Sequence, residues 1–346
     1  MGEVVKLAHG AGSVETSQIL ESLIFSKIEE RLKKVEGGLG IDFPDDAAAI
    51  PMGDGRFLVV TVDSYTVNPP FFPGGDIGVL AASGSINDVL MLGGKPIALM
   101  DAIIVEEGFP LEDLRRIVDS MLRVLREEGV ALIGGDFKVM PKGQIDKIAI
   151  ATVGIGIADR LIVDRPQPGD KIVVSGYLGD HGAAILARQI GIIDEGSGGG
   201  LVSDVKPLTR LMLPLVEKYG PHIHAARDPT RGGLAMALND WAKASGTVII
   251  VEESAIPIRP QVAYYANMLG IDPLALASEG AAVLSVSPDV AEEVVEFMKK
   301  LGFDNAAIIG EVRKAERYRG YVLLKTVVGG LRILEAPRGD LVPRIC

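Results

Sequence analysis

The sequence predicts a fold of two α+β domains, and three observations carry that prediction. At 346 residues the chain has room for about two domains of ordinary size. Helical and strand-like patterns are interspersed along it without a strict strand–helix–strand repeat, which favours mixed sheets over a doubly wound parallel one. A stretch dense in turn formers, Asp164-Arg-Pro-Gln-Pro-Gly-Asp170, splits the periodic pattern into two halves. Boundaries follow at 1–36 for an N-terminal segment and helix, 37–158 and 159–332 for the two domains, and 333–346 for a tail.

Taken in order, residues 1–14 are glycine-rich and aperiodic. Over 16–35 the apolar positions Ile19, Leu23, Ile24, Ile28 and Leu32 recur at three- and four-residue steps, predicting an amphipathic helix capped by Thr16 or Ser17. Strands are expected at 57–62, 96–105, 130–133 and 148–157. Helices are expected at 77–92, with Asp76 as N-cap, and at 111–128, stopped by Gly129. The second half opens with a strand at 171–175. Helical patterns follow at 183–190, 207–219, 234–244, 260–269 and 290–301, with strands at 248–252, 282–286, 306–311, 321–326 and 331–334. Residues 195–200, Glu-Gly-Ser-Gly-Gly-Gly, read as a flexible loop.

Composition excludes several function classes. Lys and Arg total 35 against 46 Asp and Glu, a formal net charge of −11, which argues against coating nucleic acid or an anionic membrane. No apolar run approaches the roughly 20 residues of a membrane span, and no apolar stretch follows the first basic residues as in a secretory signal, so a cytoplasmic location is expected. The single cysteine excludes an intrachain disulfide and a four-cysteine zinc site. It is Cys346, the last residue. The 14 residues from Ile333 on carry two prolines and no apolar periodicity, and fully extended they span at most roughly 45–50 Å. Such a tail can carry a thiol to a distant site.

Neither a P-loop nor a G-x-G-x-x-G motif is present. A set of aspartates near expected element ends stands in their place: Asp45-Asp46 before an apolar run, Asp63 after 57–62, Asp88 after Asn87, and Asp136 after 130–135. Any one of them alone reads as a turn or N-cap residue. Converging, four such carboxylates would hold Mg²⁺, a hard ion that takes oxygen ligands and keeps positions for phosphate. Lys138 would face the same edge and neutralise a transferring phosphoryl group. Gly179-Asp-His181-Gly182 and Asp228-Pro-Thr230-Arg231-Gly-Gly233 each open a helix, where backbone N–H groups favour anions; each reads equally as an ordinary capped turn. Glu279-Gly280 puts a carboxylate before a strand, as a general base or as a solvated turn. His222 and His224 lack a third zinc ligand, and Trp241 reads as core.

Read in order, Asp45-Asp46-Ala-Ala, Thr61-Val-Asp63, Asn87-Asp88, Gly134-Gly-Asp136, Gly179-Asp-His-Gly182, Asp228-Pro-Thr-Arg-Gly-Gly233, Glu279-Gly280 and the terminal Pro343-Arg-Ile-Cys346 give the chain a marked likeness. It resembles the HypE family of nickel–iron hydrogenase maturation factors, which belongs with aminoimidazole ribonucleotide synthetase, selenophosphate synthetase and thiamine-monophosphate kinase. One departure is Ser13, which stands where the family's N-terminal motif has the second of two glycines.

The resemblance implies a PurM-like fold in which the N-terminal domains of a homodimer pair their sheets, with ATP in the clefts and a mobile tail. It implies that a carbamoyltransferase, HypF, places a carbamoyl group on Cys346. ATP then drives dehydration of that group to a thiocyanate, and the cyano group passes to iron on the HypC–HypD scaffold. On this reading Asp46, Asp63, Asp88 and Asp136 bind Mg²⁺. Asp45, Asp228, Thr230 and Arg231 help bind nucleotide, Lys138 stabilises the transferring group, and Glu279 takes the N–H proton with His181 contributing. The competing readings are a small-metabolite kinase or synthetase of the same superfamily, and a non-enzymatic scaffold that docks by its tail.

Overall fold

A computed structural model describes residues 4–191, 193 and 200–339. Cys346 and the glycine-rich 195–199 lie outside the described residues. Helix α1 (Val14–Leu23) is followed by a sheet built from β1 (Ala48–Pro51), β2 (Phe57–Tyr65), β5 (Lys95–Glu106), β6 (Ala131–Met140) and β7 (Ile148–Ala158). Between β2 and β5 lie a two-residue-per-strand hairpin, β3 (Phe71–Phe72) and β4 (Gly75–Asp76), and helix α2 (Ile77–Met91); α3 (Leu111–Glu128) links β5 to β6. The sheet order is β1-β2-β7-β5-β6, antiparallel except for the β5–β6 pair. A helical crossover permits that one parallel pair.

The second sheet takes β8 (Lys171–Val174), β9 (Ile223–Arg227), β10 (Val248–Glu252), β11 (Val283–Val286), β12 (Ala307–Arg313), β13 (Val322–Lys325) and β14 (Leu331–Leu334) in the order β14-β13-β10-β12-β8-β11-β9. Helices α4 (Asp180–Gln189), α5 (Thr209–Tyr219), α6 (Gly233–Ser245), α7 (Pro260–Leu269) and α8 (Ala291–Lys300) connect these strands. Two mixed α+β units are therefore present. They share one apolar core, in which Leu80, Leu90 and Leu99 of the first unit cluster with Leu211, Leu284 and Met298 of the second.

Helix α2 sits at that junction, and every residue of it except Asp88 is buried. A helix apolar on all sides belongs between layers, not on a surface. Its N-terminus is fixed by Asp76, whose Oδ1 accepts the N–H groups of Gly78 and Val79 at 2.8 and 3.1 Å. Gly129 ends α3 in the left-handed region at φ 65°.

Three expectations are corrected. The helix expected over 16–35 stops at Leu23 and continues as two 3₁₀ turns, Phe25–Lys27 and Glu30–Leu32. Its apolar stripe has little to pack on, with Leu23, Ile24 and Leu32 exposed, so pattern alone does not hold it. Ser13 takes the N-cap position, and Thr16 Oγ1 accepts its N–H at 3.3 Å. Strand β9 was not expected at all, because His224 and Arg227 interrupt its apolar pattern. The chain from Ile333 to Gly339 is also docked. Ile333 and Leu334 pair with β13, and Asn239 Nδ2 donates to the Leu334 carbonyl at 2.9 Å.

Candidate functional site

Five carboxylates converge where the two units meet. Asp46 precedes β1, Asp63 lies in β2, Asp88 in α2, Asp228 follows β9 and Glu279 precedes β11. In β2 the strand does not end at Asp63 but runs on to Tyr65. Asp63 therefore points by alternation, pairing with Thr152 of β7, which hydrogen-bonds Ser85 of α2 at 2.7 Å. Asp63 thus faces α2 and its Asp88. Thr61, two residues earlier on that face, donates to Asp88 Oδ2 at 2.7 Å.

The second unit supplies the rest through Arg227 at the end of β9. Its guanidinium reaches Asp46 Oδ1 at 3.3 Å, Asp164 Oδ2 at 2.6 Å and Asp240 Oδ2 at 3.1 Å. Asp45 supports this from behind, accepting the N–H of Asp46 at 2.9 Å and that of Asp164 at 3.0 Å. Asn87 locks α2 to the second unit by accepting the Leu208 N–H at 2.8 Å and donating to the Lys206 carbonyl at 3.1 Å. Asp204 accepts the N–H groups of Glu279 and Gly280, each at 3.1 Å. A Cβ on Gly280 would lie 1.8 Å from the Asp204 carbonyl oxygen, so only glycine allows this approach. Arg227, Asp164, Asp204 and Asn87 were not picked out as site residues from the sequence. Arg227 carried the one readable signal, a cation closing an apolar strand directly before Asp228.

The electrostatics follow from burial. Loss of water pushes Asp46, Asp88, Asp228 and Glu279 well above the usual carboxylate range. Repulsion adds to it, from Asp228 and Asp63 on Asp88 and from Asp228 and Asp204 on Glu279. Burial lifts Asp164 to about 7 even with Arg227 opposing it, and Asp204 to about 6.

Five carboxylates therefore face the guanidinium groups of Arg227 and Arg231, the latter 4.0 Å from Asp63 Oδ1. Asp46 Oδ2, Asp228 Oδ2 and Glu279 Oε2 are buried with no hydrogen-bond partner among the described residues. Excess negative charge and orphaned hard oxygens fit a divalent cation. Among the described residues, however, no three His, Cys, Asp or Glu side chains form a ready-made ion cage. This set suits an ion that arrives with phosphate oxygens of its own.

Asp136 and Lys138 do not join the cluster. Both lie inside β6, where Asp136 pairs through Ala102 and Ala151 to Ser64, the row next to that of Asp63. Alternation puts them on the opposite face of the sheet. They are largely exposed, 3.8 Å from each other. Thr230 lies in a cleft of about 210 Å³ with Gly12, Asp46, Asp228 and Arg231. His181 is fully buried, with Nδ1 2.7 Å from Ser203 Oγ and its ring edge-on to Phe72. It touches none of the five carboxylates through these contacts.

Comparison with known proteins matches two family models, the AIR synthase related protein N-terminal domain over 44–158 and its C-terminal domain over 167–323. A carbamoyl dehydratase HypE of Escherichia coli is 38% identical, with 99% of each chain covered, and one of Rhizobium leguminosarum is 40% identical over 99% of this chain and 95% of that one. This chain belongs to the HypE family. A putative hydrogenase expression/formation protein of Methanocaldococcus jannaschii is 44% identical, covering 98% of both chains. Among solved structures, a HypE–HypF complex aligns with TM-score 0.82 at 38% identity, covering 92% of this chain and 99% of that one. HypE in complex with ATP aligns at 0.79 and 37%, covering 99% and 100%. Thiamine monophosphate kinase of Aquifex aeolicus, at TM-score 0.62 and 20% identity, shares the fold. Curated HypE relatives bear the name carbamoyl dehydratase, and the solved HypE structures are of a hydrogenase maturation protein. No helix among the described residues is long and apolar enough to cross a membrane.

Proposed function

We propose that this chain uses ATP to dehydrate an S-carbamoyl group on Cys346 to a thiocyanate, the source of a cyanide ligand for a hydrogenase iron centre. The observation that carries the reading is the junction of Asp46, Asp63, Asp88, Asp228 and Glu279, a desolvated acidic pocket with orphaned oxygens, in a chain of the HypE family. An amide oxygen is a poor leaving group. Transfer of the γ-phosphoryl group to it releases ADP and makes a good one. Loss of both N–H protons and of phosphate then leaves the C≡N triple bond on sulfur. Asp46, Asp63, Asp88 and Asp228 would hold Mg²⁺, which neutralises phosphate charge when bound. Arg231 and Thr230 line a cleft with Asp46 and Asp228 and would contact phosphate there. Glu279, held at the mouth of its strand by Asp204, accepts a proton from nitrogen.

Two copies complete this machinery. The sheet face opposite α2 is apolar and exposed, with Val62 72% and Met100 40% accessible, and the edge strand β6 pairs only with β5 among the described residues. A homodimer that pairs these sheets covers that face and delivers Asp136 and Lys138 across the interface. The carbamoyl donor is a HypF-type carbamoyltransferase, and the cyano acceptor is iron on a HypC–HypD scaffold. A metabolite kinase of the same fold has no use for a terminal thiol, and a scaffold has none for the buried carboxylates.

The test is intact-mass measurement after carbamoylation by the transferase. Wild-type protein gains one carbamoyl group on Cys346 and loses one water on addition of Mg-ATP. Glu279→Gln and Asp63→Asn gain the group and keep the water. Water loss in both variants would remove the proposed site.

A further inference from the structure

The base of the tail is tied to the helix that covers the site. Glu15, in the first turn of α1, accepts the Gly339 N–H at 3.0 Å and the Ser13 hydroxyl at 2.8 Å through the same Oε2. These two donors hold Glu15 below the usual carboxylate range, the Gly339 N–H first among them. Beside it, the Val14 N–H donates to the Pro337 carbonyl at 3.4 Å. The same segment packs on the site. A Cβ on Gly12 would fall 2.4 Å from Arg231 Cβ, so the backbone there lies directly on the arginine. Gly12 and Glu15 are three residue steps apart, at most roughly 11 Å.

The surface between these points is grooved. A cleft of about 510 Å³ runs from Val14 past Ser17 to Met236, Asp240 and Lys243. An adjoining one, sharing Ser17, Met236 and Asp240, leads to Asp46, Asp228 and Arg231. The groove thus starts at the tail's anchor and ends at the carboxylates.

We propose that Glu15 is a positioning residue for the tethered substrate: it fixes the tail at Gly339, so that the seven residues beyond it feed Cys346 along this groove into the site of its own chain. This rests on Cys346 being the carrier of the carbamoyl group. Seven residues reach at most about 25 Å, enough for a site bordered by Arg231 and short of a random search. Without the clamp the next ties are the Pro337 carbonyl, nine residues from the thiol, and the Leu334 carbonyl, twelve residues from it. Effective concentration falling as the −3/2 power of tether length then drops about 1.5-fold with the Pro337 bond kept and about twofold with it lost.

The experiment compares wild type, Glu15→Ala and Glu15→Gln as full-length proteins. One arm is single-turnover water loss from their own carbamoylated Cys346. The other is dehydration of a free S-carbamoyl peptide ending Pro-Arg-Ile-Cys, using the same proteins with Cys346→Ser. Glu15→Ala should slow the tethered reaction about 1.5- to twofold and leave the free-peptide rate unchanged. Glu15→Gln, whose amide oxygen still accepts from Gly339, should keep both. An unchanged tethered rate in Glu15→Ala, or equal loss in both arms, overturns the clamp. Absence of ATP-dependent water loss in wild type instead overturns the reading of the site, and the clamp with it.

Discussion

Arg227 is the residue on which the acidic junction depends, because its guanidinium reaches Asp46 in the first unit and Asp164 and Asp240 in the second. Replacing it by Met leaves Asp164 and Asp46 buried without their cation, and breaking a buried ion pair on one side costs about 3–5 kcal/mol. Chemical denaturation should read that loss, and Arg227→Lys should recover only part of it, since an ammonium cannot fork to three carboxylates. His181 belongs to stability too. Burial holds its pKa at about 3, well under the ordinary 6.5 of an exposed imidazole. The folded state therefore binds fewer protons, its contribution is complete above pH 6.5, and it is lost as pH falls toward 3. Between pH 6.5 and 5 that amounts to about 2 kcal/mol, so His181→Gln should show a correspondingly weaker acid destabilisation in urea titrations at the two pH values. An equal pH dependence in the variant would rule out His181 as the buried titrating group.

Elements explain what the sequence revealed and what it hid. Asp76 and Gly129 were readable because capping chemistry is local: one side chain takes two N–H groups, one glycine takes positive φ. Asp76→Ala should cost about 1–2 kcal/mol of stability, by removing the cap and the Ser120 partner together, measured by thermal unfolding. Asp63 and Asp136 were both found as functional candidates but placed at strand ends. Polar residues inside a strand look like its terminus when only the apolar run is visible. Their actual separation, one on each face of the sheet, is set by register across four strands, and no local pattern encodes that. The helix over 16–35 failed for the reverse reason: the periodicity was real, but the surface it needed was absent. Arg227 and Asp164 stayed hidden because a buried ion pair joins positions 63 residues apart.

On the scale of the whole molecule, sheet register separates Lys138 from Glu279 within one chain, and the proposed homodimer would bring them together across its interface. Lys138→Ala and Glu279→Ala homodimers should each be inactive in dehydration. Dissociated and reassociated as a mixture, they should regain about a quarter of wild-type activity, since half the dimers are mixed and each has one intact site. A mixture that stays inactive would put Lys138 to work in its own chain. The central claim is that ATP phosphorylates the carbamoyl oxygen in the pocket between the two units. It is tested most directly by carbamoylating Cys346 with ¹⁸O in the carbonyl and following the label through one turnover with Mg-ATP. The account predicts one ¹⁸O in inorganic phosphate for each thiocyanate formed; label released into water, with phosphate unlabelled, would contradict it.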